Sequence, residues 1–261
     1  MYMDYNNFDI NELRIFPKIV GTREKICIAH GPTMRSLTFL TPAGITNYPR
    51  ITGNGDFGGQ YGPQDPKKAR FCLDLNQWPP GTAPDPNMTE QMKTFFGVIR
   101  AVDNALLEFM FNNQLKWLQR KNLSKDEVRM LQIPSVKTPI DKDTGAEKEE
   151  CLRLTAPKYY YDQVGNERER SIGVCDHTGK IIADGCVMPG DMVCATMHLG
   201  SVYNGVGGDK FGVSWQLEDT QVVCQAQHLK PKECIPAFQT VAHNMSHEFT
   251  WSGATEFGAS L

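Results

Sequence analysis

The sequence predicts an all-β to α+β fold, and three features predict it. Two long strand-like runs are joined by a glycine-rich turn at 190–225, short strand-like runs flank the middle of the chain, and one amphipathic helix spans about 88–120. In the first of these, GDMVCATMHLGSVYNGVGGDKFGVSWQLEDTQVVCQ, Val193, Ala195, Met197 and Leu199 alternate with Cys194, Thr196, His198 and Gly200. Beyond the Gly205-to-Lys210 connection, Phe211, Val213, Trp215 and Leu217 alternate with Gly212, Ser214, Gln216 and Glu218. Period two on both sides of such a turn is the pattern of a β-hairpin. Phe211 and Trp215 share a face, so both are core or both are stacking residues; Val213 and Leu217 on that face favour core.

The other elements follow in chain order. A polar arm, residues 1–12, precedes strand-like runs at Leu13 to Val20, Lys25 to Ala29 and Ser36 to Leu40, with Thr22 to Glu24 connecting the first two. The segment Thr41 to Lys68 is rich in glycine and proline and predicts irregular structure. Loops of that length inside a compact domain are usually functional or disordered. Ala69 to Leu75 is a return strand, ended by the WPPGTAPDP breaker. Asn87 with Glu90 gives a capping-box start to the helix, whose apolar stripe runs through Met92, Phe95, Phe96, Ile99, Leu106, Phe109 or Met110, and Leu118. Ser124 with Glu127 repeats the cap before a short second helix ending near Gln132. The tract Lys137 to Glu150 is an exposed turn with Asp143-Thr144-Gly145 at its tip. Further strand-like runs occupy Cys151 to Ala156, Lys158 to Gln163, Ser171 to Cys175 and Lys180 to Ala183, the last two joined at His177-Thr178-Gly179. No internal repeat or linker interrupts the 261 residues, so a single domain (1–261) with a helical insertion at about 87–132 is expected.

Composition narrows the partners. A net charge of −3 gives no global attraction to nucleic acid or membrane, so any polyanion would need a local basic groove. The N-terminus MYMDYNNFDINEL lacks the apolar core of a secretory signal, and no apolar run is long enough to cross a membrane. An intracellular, reducing setting is therefore expected, with the eight cysteines acting as small buried hydrophobes rather than disulfides.

Catalytic and cofactor signatures are missing. The spacing of Cys175, His177, Cys186 and Cys194 matches no zinc pattern, and His243 with His247 lie in a stretch without helical marks. There is no nucleophile elbow, phosphate-binding loop or metalloprotease motif, and Gly205 to Gly208 lies between strands rather than before a helix. Asp184, Asp191, Glu218 and Asp219 cluster near strand ends and could chelate magnesium in a nuclease or phosphatase, which leaves a third reading open. No enzyme activity, cofactor or metal is expected. Aromatic and basic residues carry the remaining signal. Arg153, Lys158, Tyr159, Tyr161, Arg168 and Arg170 surround one strand, with Tyr159 and Tyr161 on one face and Lys158 and Tyr160 on the other. The glycine-rich loop holds Tyr48, Arg50, Phe57, Tyr61, Lys67, Lys68 and Arg70. Rings on which bases stack, among cations that track phosphates, suit an extended single strand.

The 190–225 hairpin also resembles the last hairpin of a family of OB-fold proteins, the single-stranded DNA-binding proteins of T7-type phages and large double-stranded DNA viruses. The matching residues are Gly190, Asp191, Val193, Val202, Tyr203, Lys210, Phe211, Gly212, Val213, Trp215, Leu217, Val222 and Val223. The resemblance covers about the last 75 residues well, and the rest in outline. It implies a partly open OB-type β-barrel with long loops, binding single-stranded DNA without sequence preference in replication, recombination or repair. It places Tyr203 and Lys210 near the groove. It further implies replication proteins as partners and a location at sites of DNA replication; a homo-oligomer is a separate candidate, since the sequence does not give the oligomeric state. The family's acidic tail with a terminal aromatic is not matched. This chain ends Gly258-Ala259-Ser260-Leu261 and has only Glu248 and Glu256 among Phe249, Trp251 and Phe257, which puts tail-mediated recruitment in doubt. The alternative is a structural or assembly protein, such as a virion-type β-barrel subunit without nucleic-acid binding.

Overall fold

A computed structural model describes residues 2–47, 70–79, 81–161, 165–170, 172–176, 178, 180, 187–205 and 208–224. Two 3-10 turns, Tyr5–Asn7 and Ile10–Glu12, open the chain, each capped by an aspartate (Asp4 and Asp9) that accepts from a backbone N–H two residues on. Strands β1 (Leu13–Val20) and β2 (Arg23–His30) form an antiparallel hairpin in register from Leu13↔His30 to Val20↔Arg23. The connection is Gly21-Thr22, not Thr22 to Glu24. Gly21, at φ +64°, supplies the left-handed backbone the tight turn needs, which frees Arg23 and Glu24 to pair.

The main sheet is built from β3 (Thr38–Leu40), β4 (Gly44–Ile45), β5 (Arg70–Asn76), β6 (Val136–Lys137), β7 (Cys151–Pro157), β10 (Val174–Cys175), β11 (Met192–Asn204) and β12 (Phe211–Cys224). A separate hairpin pairs β8 (Tyr159–Tyr161) with β9 (Glu167–Glu169). The ladder runs β12-β11-β4-β5-β7, and β7 then meets β12 again in parallel through Gln216↔Thr155. One bridge closes that circuit, so the sheet curls into a partly closed, OB-like arrangement. The fold is α+β. The expected strand over Lys158 to Gln163 is β8 alone within the described residues. That over Ser171 to Cys175 shortens to β10, where the sheet supplies a partner only at Thr220 and Gln221 of β12. The Lys180 to Ala183 run and the His177 turn lie mostly outside the described residues.

Helix α1 (Pro86–Asn112) starts at Asp85, not at Asn87. The Asp85 carboxylate accepts from Asn87 N–H, and Pro86 fills the first helical position, where its missing N–H costs nothing. The helix also stops earlier than its apolar stripe. Asn113 leaves helical geometry, a single turn α2 (Gln114–Trp117) follows, and Gln119 and Asn122 adopt positive φ. Leu118 is nevertheless fully buried, so the stripe continues into a turn rather than a helix. Helix α3 (Lys125–Leu131) begins with the expected box: Ser124 Oγ accepts from Glu127 N–H while the Glu127 carboxylate accepts from Ser124 N–H. This holds the Glu127 carboxyl below its usual range.

The core lies between α1 and the inner face of the sheet. Met88, Met92, Phe95, Phe96, Ile99, Val102, Leu106, Leu107 and Met110 recur at three and four and are all buried. Phe39 of β3 is the hub, with ring centroids 5.8 Å from Phe8, 6.0 Å from Phe95 and 6.0 Å from Trp215. Each such aromatic pair contributes about 1 kcal/mol beyond its buried area. Phe211, Val213, Trp215 and Leu217 all face inward, so Phe211 and Trp215 are core.

A buried polar relay ties α1 to β12. Trp215 Nε1 donates to Ser135 Oγ at 3.1 Å, and Ser135 donates from Oγ and from its backbone N–H to the two Asp103 carboxylate oxygens, each at 2.7 Å. Burial pushes the Asp103 carboxyl up, and the two Ser135 bonds hold it back in part. Two outcomes follow for stability. Ser135→Ala strips Trp215 Nε1 and one Asp103 oxygen of their partner and is expected to cost about 1–3 kcal/mol in chemical denaturation. Gly208→Ala places a Cβ against the Leu118 backbone at φ +72°, and is expected to cost at least ~2 kcal/mol, lowering the denaturant midpoint with unchanged slope.

Candidate nucleic-acid interface

Register decides which side chains leave the core. Phe71, Leu73 and Leu75 of β5 face inward with Leu152, Leu154 and Ala156 of β7, so the opposite positions face out. These are paired as Arg70↔Pro157, Cys72↔Thr155 and Asp74↔Arg153. Arg70 and Arg153 are exposed, on one outer face of neighbouring strands. Asp74, although on that face, is buried. It accepts from Thr46 Oγ1 at 3.0 Å, Asn47 N–H at 3.1 Å and Asn76 Nδ2 at 2.7 Å, which anchors the chain to β5 as it enters the glycine-rich segment. That segment returns to β5 at Arg70. Its Tyr48, Arg50, Phe57, Tyr61, Lys67 and Lys68 lie outside the described residues.

β7 runs directly into the β8–β9 hairpin. The register is Tyr159↔Glu169, Tyr160↔Arg168 and Tyr161↔Glu167, and Arg170 N–H donates to Lys158 O at 2.6 Å. Lys158 Nζ sits 3.1 Å from Glu169 Oε1 and 5.5 Å from the centre of the Tyr159 ring. The hydrogen bond to Glu169 raises the Lys158 ammonium above its usual range. Arg170 Cζ lies 5.2 Å from the centre of the Tyr160 ring. Of Tyr161 only the backbone pairing with Glu167 is described. Tyr160, with its ring partly in solvent, is the aromatic that sequence reasoning passed over. Alternation showed that it opposes Tyr159, but only the pairing of β8 with β9 shows which face is open.

Beside this hairpin, at the closure seam, His198 Nδ1 of β11 lies 2.9 Å from Glu218 Oε1 of β12. The His198 side chain, and more weakly the Arg170 charge, hold the half-buried Glu218 carboxyl below its ordinary value of 4.5, against the effect of burial. Arg70 and Arg153 thus lie on one outer face of β5 and β7, while Lys158, Tyr159, Arg168 and Arg170 belong to or flank the β8–β9 hairpin into which β7 runs.

Tyr203 and Lys210 are not among them. They stand at the opposite end, where Phe211 is separated from Glu218 by seven strand positions, roughly 20 Å. There the β11–β12 turn is held by the helical insertion. Lys210 Nζ donates to Met130 O at 2.8 Å, Asn204 Nδ2 to Trp117 O at 2.5 Å, and Ile133 N–H to Phe211 O at 2.8 Å. The Tyr203 hydroxyl lies over Gly212, and burial, with the nearby Asp103 charge, raises it above the usual tyrosine range.

The carboxylates of the magnesium reading do not converge among the described residues. Asp191 is buried with Oδ2 accepting from Met188 N–H at 2.8 Å, Glu218 is engaged by His198, and Asp184 lies outside them. No group of three His, Cys, Asp or Glu side chains among the described residues could hold a metal ion. Nor is any described helix long and apolar enough to cross a membrane.

Several solved structures are similar in shape to this chain. One is gp2.5, a single-stranded DNA-binding protein encoded by bacteriophage T7, 15% identical over 75% of this chain and 96% of that one, with a TM-score of 0.45. Two others are the single-stranded DNA-binding protein of bacteriophage Enc34. The first is 6% identical, covers 86% of this chain and 99% of that one, and has a TM-score of 0.39. The second, in complex with single-stranded DNA, is 8% identical over 71% and 85%, with a TM-score of 0.36. No protein-family model and no curated protein matches the sequence.

The His198–Glu218 pair has a definite sign. A carboxyl depressed in the folded state contributes stability that is present above its unfolded value and lost as the pH falls through the folded one. The melting temperature of the parent is therefore expected to fall more steeply between about pH 5 and pH 3 than that of Glu218→Gln, as read by thermal melts across that range.

Proposed function

We propose that this chain is a sequence-tolerant single-stranded DNA-binding protein acting in DNA replication, recombination or repair. The observation that carries the proposal is the placement of Arg70 and Arg153 on one outward face, continuous with the tyrosine-bearing β8–β9 hairpin and Arg168. Cations at strand spacing follow a sugar–phosphate backbone, and rings beside them receive unpaired bases, which duplex DNA does not offer. The resemblance of the 190–225 hairpin supports the same reading. The protein holds its ligand rather than transforming it, and its partners are single-stranded DNA, replication proteins and a second copy of the chain, at intracellular sites of replication. Tyr48, Arg50, Phe57, Tyr61, Lys67 and Lys68, on the segment that leaves and rejoins β5, extend the same surface. Tyr203 and Lys210 fall outside it on this proposal, because the helical insertion engages that end of the sheet.

Titration of a fluorescent oligo-dT at low and moderate salt tests this. Binding is expected at low salt and should weaken as salt rises. Arg70→Gln and Arg153→Gln should each reduce the salt slope by about one, while Tyr203→Phe leaves it unchanged. Absence of binding at low salt, combined with strong self-association, would favour the assembly protein instead.

A further inference from the structure

Two tyrosine rings of the β8–β9 hairpin are described, and a different cation lies over each. Tyr159 is half-buried and stands opposite Glu169, and the lysine over its ring is itself paired with that glutamate. Positive and negative charge therefore cancel around Tyr159. Tyr160 is 38% exposed, opposite Arg168, with the Arg170 guanidinium over its ring. Arg170 is only half-exposed, and its backbone is fixed by the bond to Lys158 O. One face of the Tyr160 ring is thus covered by a cation held from behind, while the residue as a whole is more exposed than Tyr159. A guanidinium on one face of a tyrosine is attracted by the ring's quadrupole and restrains the ring.

We infer that Tyr160 is the base-stacking platform of the interface, and that Arg170 is a positioning residue that backs its ring rather than a phosphate contact. The inference rests on the single-stranded DNA reading above and deepens it. The base-dependent part of the affinity resides at Tyr160, and the charge-dependent part at Arg70, Arg153 and Arg168.

The test compares an oligo-dT with an oligonucleotide of equal length whose sugars carry no bases, both followed by fluorescence anisotropy. The parent should bind dT more tightly than the abasic strand. Tyr160→Ala should lose about tenfold on dT and little on the abasic strand, so that the preference collapses. Tyr160→Phe, which keeps the ring and the fold, should retain it. Arg170→Ala should reduce the preference without changing the salt slope. An unchanged dT preference in Tyr160→Ala overturns the inference, as does a salt slope reduced by about one in Arg170→Ala; both leave the DNA-binding reading standing. A parent that binds neither strand at low salt overturns that reading, and this inference with it.

Discussion

Strand β12 must satisfy partners along both of its edges at once, and the rest of the molecule is arranged to let it. On one side it pairs with β11 almost from end to end, through three register shifts that bend the hairpin. On the other it pairs with β10 at Thr220 and Gln221 and meets β7 at the single bridge from Gln216 to Thr155. Trp215, the neighbour of Gln216, is fixed on the opposite face by Phe39 packing and by the Ser135–Asp103 relay. A buried carboxylate is costly unless its oxygens are satisfied. Asp103 meets that condition only when the segment after α3 lies across α1, so closure of the sheet and seating of the helical insertion are coupled at this residue.

Local order was readable from the residues themselves, and long-range order was not. Alternation located β11 and β12, a strand-like run located β1, and Ser124 with Glu127 located the start of α3, because these signals lie within a few residues of one another. The end of α1 was hidden, since Leu118 keeps the helical spacing while its neighbours Gln119 and Asn122 have left the helix. Its start was shifted because Asp85 and Pro86 together outcompete Asn87 for the cap. Of the proposed interface, the sequence shows the basic and aromatic residue types but not their placement. Arg70 joins Pro157 through the β5–β7 register, Arg170 reaches Tyr160 through the β8–β9 register, and Lys210 is drawn to a carbonyl of α3. None of these contacts leaves a trace in local spacing.

The charge distribution explains how a chain of net charge −3 can carry a cationic face. Glu167, Arg168, Glu169 and Arg170 alternate along β9 and its exit, so strand geometry sorts them onto opposite sides of the hairpin. Lys158 pairs with Glu169, and Arg170 lies over the Tyr160 ring. Any attraction for a polyanion is therefore short in range, set by where side chains point rather than by the field of the whole molecule.

The helical insertion has one more consequence, for the order of assembly. β1–β2 and β11–β12 are hairpins between sequence neighbours, whereas β5 and β7 pair across the whole of residues 77–150. The entropy of closing so long a loop must be met before any of its contacts form, which favours the local hairpins and α1 as early structure. The face bearing Arg70 and Arg153 then takes shape only when the two ends of the insertion are brought together. The chain acquires its frame first and its outward-facing cations last.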